Sequence, residues 1–220
     1  PIEWNDHIRG PVKFEGEQMA DPVLIREDGR PLYHLCSVID DLDFKITHVV
    51  RGEDHVSNTA SHVQMFEAII GIEGTGTLPE FAHLPMISDK EGGKLSKRLG
   101  SLSVKDLREV DHVEPMAIVS LMSRLGTSDP IEAFTSIKPI IESFEFSKFS
   151  RGMPKFDPDE VLRLNAKILH DTPYNDVSVR LANMGLQDLD EEFWLSVRPN
   201  IERLDDVKDW WEVAKGPVEI

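Results

Sequence analysis

Apolar and polar positions change period several times along this chain, and each change predicts an element. Residues 1–21 read as the tail of a small β-rich unit, with Ile8, Val12 and Phe14 apolar and Gly10-Pro11 interrupting them. Val23 to Glu27, the pair Asp28-Gly29, and Arg30 to Val38 form two apolar stretches around a turn dipeptide, which predicts a β-hairpin. Ile46 to Val50 is a short run rich in β-branched residues and reads as a buried strand. It ends in the polar cluster Arg51-Gly52-Glu53-Asp54-His55. A helix is expected next, capped by Ser57, Asn58 or Thr59, with Val63, Phe66, Ile69 and Ile70 on one face and Gly71 as its stop. After the loop Gly74-Thr75-Gly76-Thr77, Phe81 to Ile87 reads as another short strand.

Beyond residue 110 the period becomes helical. Pro115 suits a first helical position and opens Met116 to Leu125, with Gly126 closing it. Asp157-Pro158-Asp159-Glu160 combines a cap, a proline and two first-turn acids, followed by an apolar face of Val161, Leu164, Ile168 and Leu169. Two further helices are expected near 188–197 and 203–214, where Trp194, Trp210 and Trp211 read as core rather than as stacking platforms for bases. The fold class is therefore α/β, a partial Rossmann-like unit followed by α-helical regions. In such sheets ligands gather at the carboxyl ends of strands, where Arg51 to His55 would lie.

Composition narrows the class. The 220 residues are 40% hydrophobic, with no run approaching the ~20 apolar residues of a membrane span and no signal peptide. The single cysteine, Cys36, argues against disulfides and for a reducing compartment, with a cytoplasmic location expected, and reads as a small buried hydrophobe. A net charge of −16 counts against a general nucleic-acid binder, which usually carries a basic footprint. The charge is uneven: residues 88–108 carry six Lys/Arg against three Asp/Glu, whereas 155–220 carry eight against fifteen. The histidines show no metal spacing and read as structural, so no metal and no zinc site is expected.

The basic segment is the most informative stretch. In Ser88-Asp89-Lys90-Glu91-Gly92-Gly93-Lys94-Leu95-Ser96-Lys97-Arg98-Leu99-Gly100, glycines permit sharp turns and four cations crowd together. Such a loop can bend around a polyphosphate, and a mobile ammonium can meet charge as it develops on phosphoryl oxygens. Arg51 offers a different chemistry: a guanidinium fork at a strand end matches a carboxylate bidentately, against the alternative of an ion pair with Glu53 or Asp54.

Lys94-Leu95-Ser96-Lys97-Arg98 is similar to the KMSKS signature of class I aminoacyl-tRNA synthetases, with Arg98 in place of the final serine. With Gly29 to Asp41, Thr47 to His55 and Ala82 to Ile87 in the same order, the chain resembles the glutamyl-tRNA synthetase family over residues 8–185. The resemblance implies ATP-dependent activation of glutamate to glutamyl-adenylate, with Mg²⁺ accompanying ATP, and transfer to the 3′ end of tRNA(Glu) by a monomer. It places Lys97, with Lys94 in support, at catalysis. It assigns Lys97, Asp54, His55, Met86 and Ile87 to ATP. Tyr33, Arg51 and Ser37 go to L-glutamate, Ser37 standing where asparagine occurs in some relatives. It also implies four regions: 1–21 ending an inserted acceptor-binding domain, 22–90 the second catalytic half, 91–172 the KMSKS-type loop and stem-contact domain, and 173–220 the start of an anticodon-binding domain.

Three other readings compete. A glutaminyl-tRNA synthetase would continue into β-barrels rather than helices, a glutamyl-queuosine-type paralogue would lack the helical extension, and a non-catalytic tRNA-binding module would keep only the fold. The family's HIGH motif occurs nowhere in the 220 residues. The isolated chain is accordingly expected not to aminoacylate tRNA, and turnover by it in an aminoacylation assay would refute that expectation.

Overall fold

The computed structural model describes residues 1–93 and 103–216. The chain divides into two compact units, Pro1–Met86 with Glu145–Pro154, and Ile87–Phe144 with Lys155–Ile220.

The first unit is built on a four-stranded sheet. Strands β1 (Ile2–Asp6) and β2 (Gly10–Phe14) pair antiparallel, helix α1 spans Tyr33–Asp43, β3 is His48–Gly52, helix α2 is Val56–Glu73 and β4 is Glu80–Leu84. The strand order is β2-β1-β4-β3, with β4 parallel to both neighbours. Strand, helix, parallel strand is the crossover expected of an α/β unit. The inward positions of β1 alternate as its sequence does: Ile2, Trp4 and Asp6 are buried, Glu3 and Asn5 exposed. Ile2, Trp4 and Phe81 from the sheet meet Val38 of α1 and Ala60, Val63 and Phe66 of α2 in one core. Trp4 stacks on Phe14 at 5.8 Å and meets Phe81 edge-on at 6.2 Å.

The second unit is mainly helical. It contains the short parallel pair β5 (Ser88–Asp89) and β6 (Lys155–Phe156), and helices α3 (Val104–Glu109), α4 (Pro115–Arg124), α5 (Lys138–Glu142), α6 (Pro158–Asp171), α7 (Tyr174–Asn183), α8 (Glu191–Val197) and α9 (Val207–Lys215). Pro115 stands in the first turn of α4, and the Asp157 side chain caps α6 by accepting from Asp159 N–H. Val161, Leu164 and Ile168 pack with Leu107, Leu121 and Phe156, while Leu169 joins Trp194, Val197 and Ile201 in a second core. Trp194 is fully buried and its Nε1–H donates to Thr172 O at 3.0 Å, but Trp210 is 44% exposed, so the core reading holds for the former and fails for the latter.

Several sequence expectations are corrected. The turn at Asp28-Gly29 forms, with Gly29 at φ +82°, yet the hairpin shrinks to one bridge, Ile25 to Pro31, and Tyr33 opens a helix. Helical geometry puts Val38 inside and leaves Cys36 exposed. Strand β3 starts two residues later than expected and is half-exposed, since β4 is its single partner among the described residues. Helix α2 runs past Gly71 and stops at Gly74, which adopts φ +67°, and no side chain caps its start. Helix α7 has no counterpart among the elements that the sequence predicts. Among the described residues no helix is long and apolar enough to cross a membrane.

Phe66 lies at the centre of the first core, fully buried between α2 and β4. Phe66→Ala should therefore lower unfolding stability by about 3–5 kcal/mol. Urea unfolding checks this, and a loss below about 1 kcal/mol would contradict the packing described here.

Candidate functional site

The carboxyl ends of β3 and β4 carry a connected set of polar side chains, and its root is Asp6. Because β1 alternates, Asp6 shares the inward face with Ile2 and Trp4, and its carboxylate is 2% exposed. One oxygen accepts from the backbone N–H groups of Ile8 (3.1 Å), Arg9 (3.0 Å) and His83 (3.1 Å), and the other meets His83 Nδ1 at 2.5 Å. Burial alone would raise the pKa of Asp6, but the His83 hydrogen bond and these N–H donors together hold it below the ordinary value. Burial outweighs the attraction of Asp6 at His83 and lowers its pKa, as does the charge of Arg51. The pair is thus a carboxylate and a neutral imidazole protonated at Nδ1.

That tautomer fixes the next links. His83 Nε2 presents a lone pair to the Thr59 hydroxyl at 2.8 Å, and Thr59 Oγ1 in turn accepts from Arg51 Nη2 at 2.5 Å. Arg51 Nε lies 3.4 Å from His83 Nε2, and Nη1 donates to the Tyr33 hydroxyl at 3.0 Å. The guanidinium is therefore oriented by neutral groups from α1, α2 and β4. Its sequence-level alternative, an ion pair with Glu53 or Asp54, does not form. Glu53 binds Arg9 at 2.5 Å and accepts from Met86 N–H, while Asp54 stands 3.9 Å from His55. Among the described residues Arg51 has no carboxylate partner.

The remaining predicted residues divide. Tyr33 is 47% exposed at the start of α1, and Ser37 lies four residues on, on the same helix face. Asp54 and His55 form the 3₁₀ turn between β3 and α2, where His55 Nδ1 lies 3.4 Å from the Tyr33 hydroxyl. Met86 is exposed beside Gly52. Ile87 does not join them: its side chain packs in the second unit against the core containing Leu107 and Phe156. Lys94 and Lys97 lie outside the described residues. Lys90 is described, and it turns its charge to Asp159 (3.3 Å) and Asp157 (3.9 Å), whose contacts raise its pKa.

Sequence reasoning missed Asp6 and Thr59 and read His83 as merely structural. No local signal joins positions 6, 59 and 83; the parallel pairing of β1 with β4 brings Asp6 to His83, and α2 brings Thr59 to both His83 and Arg51. It also missed that His7, His48 and Glu80 converge where β1 ends and β3 and β4 begin, each offering one donor atom within 4.8 Å of the others.

A parallel β–α–β unit with a guanidinium oriented by neutral groups at a strand's carboxyl end defines the class: an α/β domain of nucleotide-binding type. Comparison with known proteins gives the family. Residues 1–163 match the model for tRNA synthetases class I (E and Q), catalytic domain, and the chain belongs to that family. It is 52% identical over 218 residues to the glutamate–tRNA ligase of Azospirillum brasilense and 48% identical over 218 residues to glutamate–tRNA ligase 1 of Maricaulis maris, covering 99% of this chain and 48% of each relative. The chain thus spans about half the length of these curated relatives. A glutamate tRNA ligase from Elizabethkingia meningosepticum, solved in complex with its amino acid, superposes with a TM-score of 0.76 at 28% identity over 96% of this chain and 46% of that one. The glutamate-tRNA synthetase of Elizabethkingia anophelis gives 0.73 at 27% identity, over 94% of this chain and 46% of its own.

Beside Tyr33 a second buried imidazole, His62, is 1% exposed and meets His34 Nδ1 at 3.0 Å. Burial, then the charge of Arg51 and the neighbouring His34 and His55, push its pKa down to about 4. A free histidine titrates near 6.5, so between those values the unfolded chain binds the extra proton. Stability from His62 is full above about pH 6.5 and is lost as pH falls toward 4, a difference of about 3 kcal/mol. His83, lowered in the same sense, adds to that loss. Imidazole NMR should show His62 neutral at pH 5.5, and a titration midpoint at or above 6.5 would contradict this environment.

Proposed function

We propose that this chain carries the amino-acid half of the catalytic site of a glutamate–tRNA ligase. The observation that carries the reading is the Arg51 guanidinium, half-buried, held by Tyr33, Thr59 and His83 and without a carboxylate of its own. A free carboxylate side chain supplies the missing partner, and an amide does not. Tyr33 positions the fork from α1, and in this reading Ser37, one helical turn on, would offer a hydroxyl.

ATP, when bound with Mg²⁺ on its phosphates, supplies the activation of the glutamate α-carboxylate. The groups of this chain suited to the nucleotide are Asp54, His55 and Met86 at the strand ends, and Lys97 with Lys94 in the glycine-flanked loop. Lys97 would stabilise negative charge developing on the phosphoryl oxygens more than it stabilises the ground state. tRNA(Glu) is the proposed acceptor. Helices α6 to α9 favour the glutamyl over the glutaminyl reading, whose enzymes turn to β-barrels in this region.

The test is a chimera in which this chain replaces the aligned 218 residues of the Azospirillum brasilense relative. It should sustain glutamate-dependent ATP–pyrophosphate exchange. Arg51→Ala should raise the KM for glutamate about 100-fold, the equivalent of one lost charge-assisted contact of about 3 kcal/mol. Lys97→Ala should instead lower kcat, by about 10²–10³-fold. An unchanged glutamate KM in the Arg51 variant would overturn the assignment.

A further inference from the structure

At the end of the sheet away from Arg51, three strands deliver three metal-ligating side chains to one point. His7 follows β1, His48 begins β3, and Glu80 begins β4, the strand between them. The register places His48 directly opposite Glu80, and His7 N–H donates to Phe81 O at 2.9 Å, so the positions are fixed by ladder geometry rather than by a loose loop. His7 Nε2 lies 2.5 Å and His48 Nε2 3.8 Å from Glu80 Oε2.

We infer that His7, His48 and Glu80 form a binding site for a divalent transition-metal ion of the zinc class, bridging β1, β4 and β3. Two imidazoles and one carboxylate suit Zn²⁺, Co²⁺ or Ni²⁺, whereas Mg²⁺ prefers an all-oxygen octahedron. Ligands about 2.0–2.1 Å from a tetrahedral ion lie roughly 3.3 Å apart. The two observed separations bracket that value, so a small opening at His7 and a small closing at His48 suffice. At His48, Nδ1 meets Thr47 Oγ1 at 3.0 Å, and a hydroxyl there can accept from Nδ1–H, which frees the Nε2 lone pair beside Glu80 for the ion. At His7 the ion takes the place of the proton shared with Glu80, and that proton moves to Nδ1. The rings are also braced: Phe146 stacks on His7 at 4.6 Å and on His48 at 6.2 Å, each within 17° of parallel. Water completes the coordination from the open side, where the three side chains are 31%, 43% and 61% exposed.

The test is titration of the metal-free chain with ZnCl₂ by calorimetry, repeated with CoCl₂ and followed by visible absorption. Wild type should bind one equivalent of Zn²⁺ at this site and give an intense, low-coordinate Co²⁺ spectrum, and millimolar Mg²⁺ should not compete. The double substitution His7→Ala with His48→Ala, and separately Glu80→Gln, should weaken Zn²⁺ binding at least ~10-fold and abolish that spectrum. Circular dichroism of the metal-free proteins shows that each variant is folded. Should a variant fail to fold, protection of His7 and His48 by Zn²⁺ from diethylpyrocarbonate in wild type gives the same answer. Equal Zn²⁺ affinity in wild type and folded variants, a weak octahedral Co²⁺ spectrum, or no protection would overturn the inference.

Discussion

Asp6 is the constraint on which the first unit depends. A carboxylate removed from water costs several kcal/mol unless its lone pairs are satisfied. Here the contacts that satisfy them also define the architecture. Ile8 and Arg9 N–H turn the chain out of β1, His83 N–H fixes β1 beside β4, and the His83 imidazole passes the orientation on through Thr59 to Arg51. A charge buried under β1 therefore sets the direction of a guanidinium at the end of β3. His83 Nε2, at 2.8 Å, is the nearer of two acceptors for the Thr59 hydroxyl, the other being His55 O at 3.2 Å. Asp6 and His83 act as positioning groups, and Arg51 presents the charge.

How much of this was legible depended on whether the signal was local. Caps and prolines are local, and the starts of α4 and α6 lie where Pro115 and Asp157 place them. The segment after Asp28-Gly29 carried two periods at once. Read at period two, it gives a strand; read at three to four, Leu35, Val38 and Leu42 give a helix face. Packing decided between them, because Val38 fits the core under α2 while Cys36 faces out. The same ambiguity hid the setting of Tyr33, which reaches Arg51 from a helix rather than from a neighbouring strand. Arg51 itself was legible, as a cation after a β-branched run; Thr59, His83 and, behind His83, Asp6 were not, because neither pairing between distant strands nor the packing of α2 on the sheet leaves a mark in spacing.

The sheet separates two chemistries by its length. Residue 51 of β3 joins the network of Tyr33, Thr59 and His83, and residue 48 of the same strand joins the His–Glu cluster, so one five-residue strand carries both. A strand rises about 3.3 Å per residue, which places the two ends roughly 10 Å apart. Tying the end of β1 to the starts of β3 and β4 would hold the register that aligns Asp6, His83 and Arg51.

Charge shows the limit of counting along the chain. The excess of cations over residues 88–108 suggested a uniformly basic loop, yet Lys90 is answered by Asp157 and Asp159 at the start of α6. Asp89 folds back on its own turn, accepting from Glu91 N–H at 3.0 Å and Gly93 N–H at 2.7 Å, with Gly92 at φ +91°. Both carboxylate sets draw charge and backbone donors into fixing the entry to the loop. Lys90 is thus answered by its own neighbours, and a count of cations along the segment overstates the free charge it carries.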